Sequence, residues 1–145
     1  MLKLEVEKKL ATYLSAGTFI VTVFLLASTS TDPVNVTKLF ALGGVSIAVF
    51  GISLVFGGKA LLSHYKPILI AVLLFDLLMI FASISSKAPF SQNYFGTFGR
   101  NNGLLTYSLL SLVTVSSLLL TRVESFEKIF YGLFAAGLLN IIYCG

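Results

Sequence analysis

The sequence predicts an all-α integral membrane protein: a helical bundle of about five transmembrane helices with a cytoplasmic N-terminus. Three observations carry this expectation. The 145 residues are 57% hydrophobic and only 11% charged, with mean hydropathy +0.96, more apolar surface than a soluble domain of this size can cover. The charges gather at the ends of apolar runs rather than within them. Most runs approach the roughly 20 residues that a helix needs to cross about 30 Å of hydrocarbon. A backbone in lipid must satisfy its own hydrogen bonds, so these runs are read as helices and not as open sheet.

The charges divide the chain into one membrane domain, 1–145, with spans at 10–29, 39–58, 67–86, 103–121 and 129–145. The first run follows Lys3, Glu5, Glu7, Lys8 and Lys9, and Ala27-Ser28-Thr29 is a poor small-residue cleavage site, so it reads as an uncleaved signal-anchor. The second run is free of charge, and the third is broken only by Asp76. Pro33, Pro67 and Pro89 all fall at run boundaries, where a missing N–H costs little. The fifth run ends at Gly145 without a polar anchor, and the expectation is that the chain is the front part of a longer protein. Lys3, Lys8, Lys9, Lys59, Lys66, Arg122 and Lys128 fall on one side of this topology, and Lys38, Lys87 and Arg100 on the other. The positive-inside rule therefore puts the N-terminus in the cytoplasm and the loops around Asp32 and Arg100 outside. In a soluble protein the net charge of +4 would suggest nucleic acid; here it sets topology, and no nucleic-acid partner is expected.

Gly44, Gly51 and Gly58 recur every seven residues, with Ala41 and Ala48 on a neighbouring line. Small residues let membrane helices approach closely, and packing within the bundle is favoured here over a dimer interface. Gly132, Ala136 and Asn140 form a similar line, with partners in the chain or in a missing C-terminal portion. Asp76 is the only carboxylate deep in a span, a position that costs about 2.5–3.5 kcal/mol on insertion scales. Without an intramembrane Lys, Arg or His to complete a relay, a neutral or hydrogen-bonded acid facing a Ser or Thr is favoured over transport.

Sequence signatures of catalysis are scarce. HExxH, P-loop and Gly-x-Ser-x-Gly patterns are absent, as are paired Cys or His ligands, so neither a metal nor a cofactor is expected. Cys144 stands alone, and His64 sits at a span end beside Tyr65 and Lys66. Glu124 and Glu127 with Arg122 and Lys128 read as a solvated turn. Asn35-Val36-Thr37 matches a glycosylation triplet, a pattern common by chance.

The loop between the third and fourth spans is the exception. Phe90, Tyr94, Phe95 and Phe98 suit the headgroup level or the face of a sugar ring. Gly96, Gly99 and Gly103 allow tight turns, and Arg100 offers a planar fork for phosphate or carboxylate oxygens. Asn101 and Asn102 are expected to cap the next helix, whose N-terminus favours an anion. The residues suit an amphiphilic phosphate ligand and an aromatic re-entry loop with a snorkelling Arg about equally well. The binding reading assigns Tyr94, Phe95, Phe98, Arg100, Asn101 and Asn102.

Asp32-Pro33-Val34-Asn35 after the first span, and Gly96-Thr97-Phe98-Gly99-Arg100-Asn101-Asn102-Gly103-Leu104-Leu105-Thr106-Tyr107 before the fourth, resemble the N-terminal part of the bacterial O-antigen ligase and O-antigen polymerase superfamily. The resemblance implies a multi-pass protein of the bacterial inner membrane. It implies a metal-independent glycosyltransferase moving glycan from undecaprenyl diphosphate to an acceptor at the outer face. That donor and the bilayer are the implied partners, and Arg100 would grip the diphosphate or glycan. The family's catalytic late loop has no counterpart here, which leaves catalysis by this chain open. A small membrane scaffold or accessory subunit, and a small transporter leaning on Asp76, stand as alternatives.

Overall fold

The computed structural model describes residues 2–23, 35–97, 100 and 102–144. Six helices occupy them: α1 (Leu2–Thr22), α2 (Asn35–His64), α3 (Lys66–Ser85), α4 (Phe90–Phe95), α5 (Leu104–Ser117) and α6 (Val123–Cys144). The described residues contain no strand. Three helices are long and apolar enough to span a membrane: Asn35–His64, Lys66–Ser85 and Val123–Tyr143. The chain is therefore read as a membrane protein.

The element boundaries depart from the expected spans in instructive ways. The predicted span at 10–29 is part of a helix that begins at Leu2, because Lys and Glu residues continue the helix below the apolar run. Its far part, with Asp32-Pro33-Val34, lies outside the described residues. Helix α2 has 30 residues and extends past both ends of the span at 39–58, reaching about 45 Å. Helix α5 has 14 residues and reaches only about 21 Å. It tightens into i→i+3 bonds from Leu118 to Val115, Leu119 to Ser116 and Leu120 to Ser117. The expected solvated turn around Glu124 and Glu127 is instead the opening of α6, which starts at Val123. Pro67 lies in the first turn of α3 and Pro89 is the N-cap of α4, as their boundary positions predict; Pro33 lies outside the described residues.

The five longer helices run alternately up and down. Helix α1 packs along α6 in the same direction: Ser15 Oγ donates to Lys128 O at 2.5 Å, and Asn140 Nδ2 donates to Thr22 O at 2.8 Å. Ala136 is fully buried and Gly132 lies against the Ser15 backbone, so the line Gly132–Ala136–Asn140 finds its partner in α1. Helix α2 packs on α1 and α5, with Gly17 against Val45, Gly43 against Leu109, and Gly57 against Leu119. Helix α3 follows α2 after the single residue Tyr65, buries no residue, and leans on α5.

The core joins Leu10, Ala11, Leu14, Val49 and Leu120, with Val45, Ile52 and Val113 packed around it. Ser46, Ser53 and Ser116 are fully buried within the helix contacts. Each hydroxyl donates to the carbonyl four residues back: Leu42 at 2.6 Å, Val49 at 2.8 Å and Leu112 at 2.7 Å. A small residue that satisfies its own hydroxyl lets helices approach without stranding a polar group.

The Gly44, Gly51, Gly58 stripe does not pack within the bundle as expected. A side chain at any of these three positions would meet nothing within 4 Å, and Ala48 is exposed beside them. The buried face of α2 carries Ser46, Val49, Ser53, Gly57 and Leu61 instead. Lys8, Lys9, Lys59, Lys66, Arg122 and Lys128 share one end of the bundle, and the loop holding Lys87 and Arg100 lies at the other.

Candidate functional site

The described residues of the loop, 86–97, 100, 102 and 103, are held by a network of hydrogen bonds and close backbone packing. The loop leaves α3 at Ser86, whose extended backbone ends the helix while its N–H still reaches Ala82 O. Ala88 N–H donates to Ser86 Oγ at 3.0 Å. Asn93 staples the segment to the last turn of α3, its Nδ2 within 3.1 Å of Ser83 O, 3.2 Å of Ser86 Oγ and 3.3 Å of Ala88 O. Between these anchors Pro89 starts the short helix α4, and Gln92 and Asn93 N–H both donate to Pro89 O.

The aromatic residues form a continuous group on α4. Phe90 stacks on Tyr94 with ring centroids 5.4 Å apart, and Tyr94 meets Phe95 edge-on at 4.9 Å. Phe90 and Phe95 remain exposed, as rings at a lipid headgroup level would be. Phe98 and Asn101 lie outside the described residues.

Gly96 then turns the chain at φ +97°, a left-handed conformation that only glycine adopts without strain. A side chain there would also fall 2.6 Å from Arg100 O. Arg100 N–H donates to Thr97 O at 2.8 Å, and Thr97 N–H donates to Asn102 Oδ1 at 3.1 Å. Gly103 completes the turn: any side chain there would collide with Tyr94 O, Phe95 C and Gly96 N. Asn102 is therefore spent inside the turn and does not cap α5. Gly103 is the N-cap, with no side-chain hydrogen bond to the first turn.

Tyr94, Phe95, Arg100 and Asn102 thus come together in one turn. The Arg100 side chain is exposed and forms no ion pair among the described residues, and no acidic residue occurs from Ser86 to Gly103 to compete for it. Below the turn lies a cavity of about 320 Å³ bordered by Met79, Ser83, Gln92, Asn93, Thr97 and Asn102. Its walls carry neutral amides and hydroxyls. At the base of the turn, the buried Thr106 Oγ1 has no hydrogen-bond partner among the described residues.

Two polar contacts lie elsewhere. Ser111 Oγ donates to Asp76 Oδ1 at 3.0 Å, the hydrogen-bonded arrangement favoured from the sequence. Sequence reasoning missed Glu7, which is 8% exposed at the basic end of the bundle. Its Oε1 accepts from Thr121 N–H and Arg122 N–H at 2.8 Å and from Ser125 Oγ at 3.0 Å, while Oε2 accepts from Thr121 Oγ1. Burial works against its charged form, but the Thr121 and Arg122 N–H groups and the Ser125 and Thr121 hydroxyls outweigh it and hold the carboxyl below its ordinary pKa. This remote carboxylate satisfies the N–H groups of the two residues that lead into α6 and places a negative charge at the start of that helix.

Comparison with protein-family models, curated proteins and solved structures finds no match to this chain.

Proposed function

We propose that the chain is the amino-terminal, donor-side bundle of a membrane glycan transferase, in which the Arg100 turn holds the diphosphate of an undecaprenyl-linked glycan. The observation that carries this reading is the Gly96–Gly103 turn. It presents an exposed guanidinium, without an ion-pair partner among the described residues, on a backbone pinned by two glycines, beside a first turn of α5 that no described side chain caps. Arg suits this task because its planar fork meets two phosphate oxygens at once. The stacked rings of Phe90 and Tyr94 and the amide-lined cavity give the sugar and lipid parts of such an amphiphile suitable neighbours. The motif resemblance across Gly96–Tyr107 supplies the reaction class, glycan transfer at the outer face of a bacterial inner membrane.

In membranes carrying the full-length protein, Arg100→Ala should reduce donor binding or transfer at least tenfold while insertion and abundance stay normal. Unchanged transfer by this variant would overturn the role. A second reading, a scaffold or accessory subunit, draws on the outward Gly44–Gly51–Gly58 stripe, which leaves a flat helix face open. It expects Arg100→Ala to be silent and bulky substitutions along the stripe to matter. The transporter reading loses ground because the Asp76 carboxylate is already engaged by Ser111.

A further inference from the structure

At the opposite end of the bundle from Arg100, the start of α1, the end of α2 and the connection between α5 and α6 border a half-open cavity of about 450 Å³. Its walls are two-sided in character. Leu4, Phe56 and Leu119 supply apolar surface, while His64, Tyr65 and Arg122 supply polar groups. Glu7 also borders it, but both carboxylate oxygens are occupied by the α5–α6 turn, and Arg122 keeps its side chain half exposed despite a 3.4 Å pairing with Glu124. His64 Nδ1 faces Ser63 Oγ at 2.6 Å, which leaves the second ring nitrogen for a ligand. Exposed Lys59 and Lys66 flank these residues in the chain.

A half-open void with apolar walls and a hydrogen-bonding rim that carries the half-exposed Arg122 fork, with the Glu7 carboxylate beside it already engaged, suits a phosphate group carried on a hydrocarbon chain. We propose that this cavity binds one anionic phospholipid, its phosphate at Arg122, His64 and Tyr65 and its chain along Phe56, Leu119 and Leu4. The site is separate from the Arg100 loop. Apolar contact alone would hold any lipid, so the charge on the headgroup is the discriminating feature.

The test is native mass spectrometry of the full chain in a neutral detergent, titrated with phosphatidylglycerol, with diacylglycerol of the same chains, and with inorganic phosphate. The expected result is one saturable phosphatidylglycerol per chain, at least tenfold tighter than diacylglycerol and not displaced by equimolar inorganic phosphate. Arg122→Gln keeps the backbone N–H that Glu7 accepts and should weaken binding about tenfold; Ala60→Phe, which fills the cavity, should weaken it as much. Lys87→Gln, at the other end, should change nothing. Equal binding of diacylglycerol, displacement by free phosphate, or unaltered affinity in both cavity variants would overturn the proposal. The unaltered protein gives a reading independent of any variant: phosphatidylglycerol should raise its thermal midpoint above that in diacylglycerol, and equal midpoints would overturn the site.

Discussion

Glu7 and Ser125, 118 positions apart, meet through a 3.0 Å hydrogen bond that closes the chain's first helix onto the start of its last. The same carboxylate takes the Thr121 and Arg122 N–H groups, so one acidic side chain fixes the α5–α6 turn against α1. Glu7→Gln keeps the shape but turns an NH₂ group toward donors. A loss of about 1–3 kcal/mol is expected, the cost of stranding buried partners of a charged group. Thermal unfolding of the purified protein checks it, and an unchanged midpoint would count against this tie.

The same residue gives a pH dependence with a definite sign. Its folded pKa lies below the ordinary 4.5, so its contribution is fully present above that value and is lost as pH falls through the lowered folded value. Unfolding of the unaltered protein should therefore become easier in acid below the ordinary carboxylate range. The Glu7→Gln protein should lack that component, which paired melts at neutral and acidic pH would measure.

At the Arg100 turn, Gly96→Ala forces an L side chain into a positive φ and Gly103→Ala drives one into the Tyr94 carbonyl. Each should cost about 1–3 kcal/mol locally and displace Arg100. The expected signature is faster proteolysis or hydrogen exchange across 90–105 with the rest of the bundle unchanged. Protection equal to the unaltered protein would contradict the turn geometry.

Ser111→Ala removes the donor to Asp76 and leaves its oxygen unpaired beside the bundle, whereas Asp76→Leu removes the polar group altogether. The first should destabilise the α3–α5 contact by about 0.5–2 kcal/mol. Asp76→Leu in the Ser111→Ala background should recover most of that loss. A double variant no better than the single one would mean that the pair contributes nothing to packing.

Thr106 offers the opposite case, a buried hydroxyl without a partner among the described residues. Thr106→Val keeps the branched shape and removes the unsatisfied oxygen, so stability should hold or rise by up to about 1 kcal/mol. A clear loss on denaturation would mean that the hydroxyl is satisfied in the membrane.

The helical class and the positions of the breaks were legible because charge and proline act locally. Pro67 and Pro89 mark the start of α3 and α4 through the geometry of their own rings. The glycine spacing on α2 was equally visible, but its direction was not. Gly43 and Gly57 face α5 whereas Gly44 and Gly58 face outward, and a one-residue offset turns a helix position by about 100°. Glu7 reads in sequence as one more solvated charge among lysines, since its donors arrive 114 to 118 positions later. In the loop, the glycines announced a turn, yet Asn102 had two uses open to it. The bond to Thr97 won because Gly103 occupies the capping position.

The Asn93 staple has a mechanical consequence. It welds α4 to the last turn of α3 at Ser83, while Asp76–Ser111 pins the middle of α3 to α5, and Gly103 seats the far end of the loop at the start of α5. Helices α3, α4 and α5 are therefore tied to one another at three separate places, two through side chains and one through backbone packing, so the Arg100 turn hangs from both of its flanking helices rather than from one.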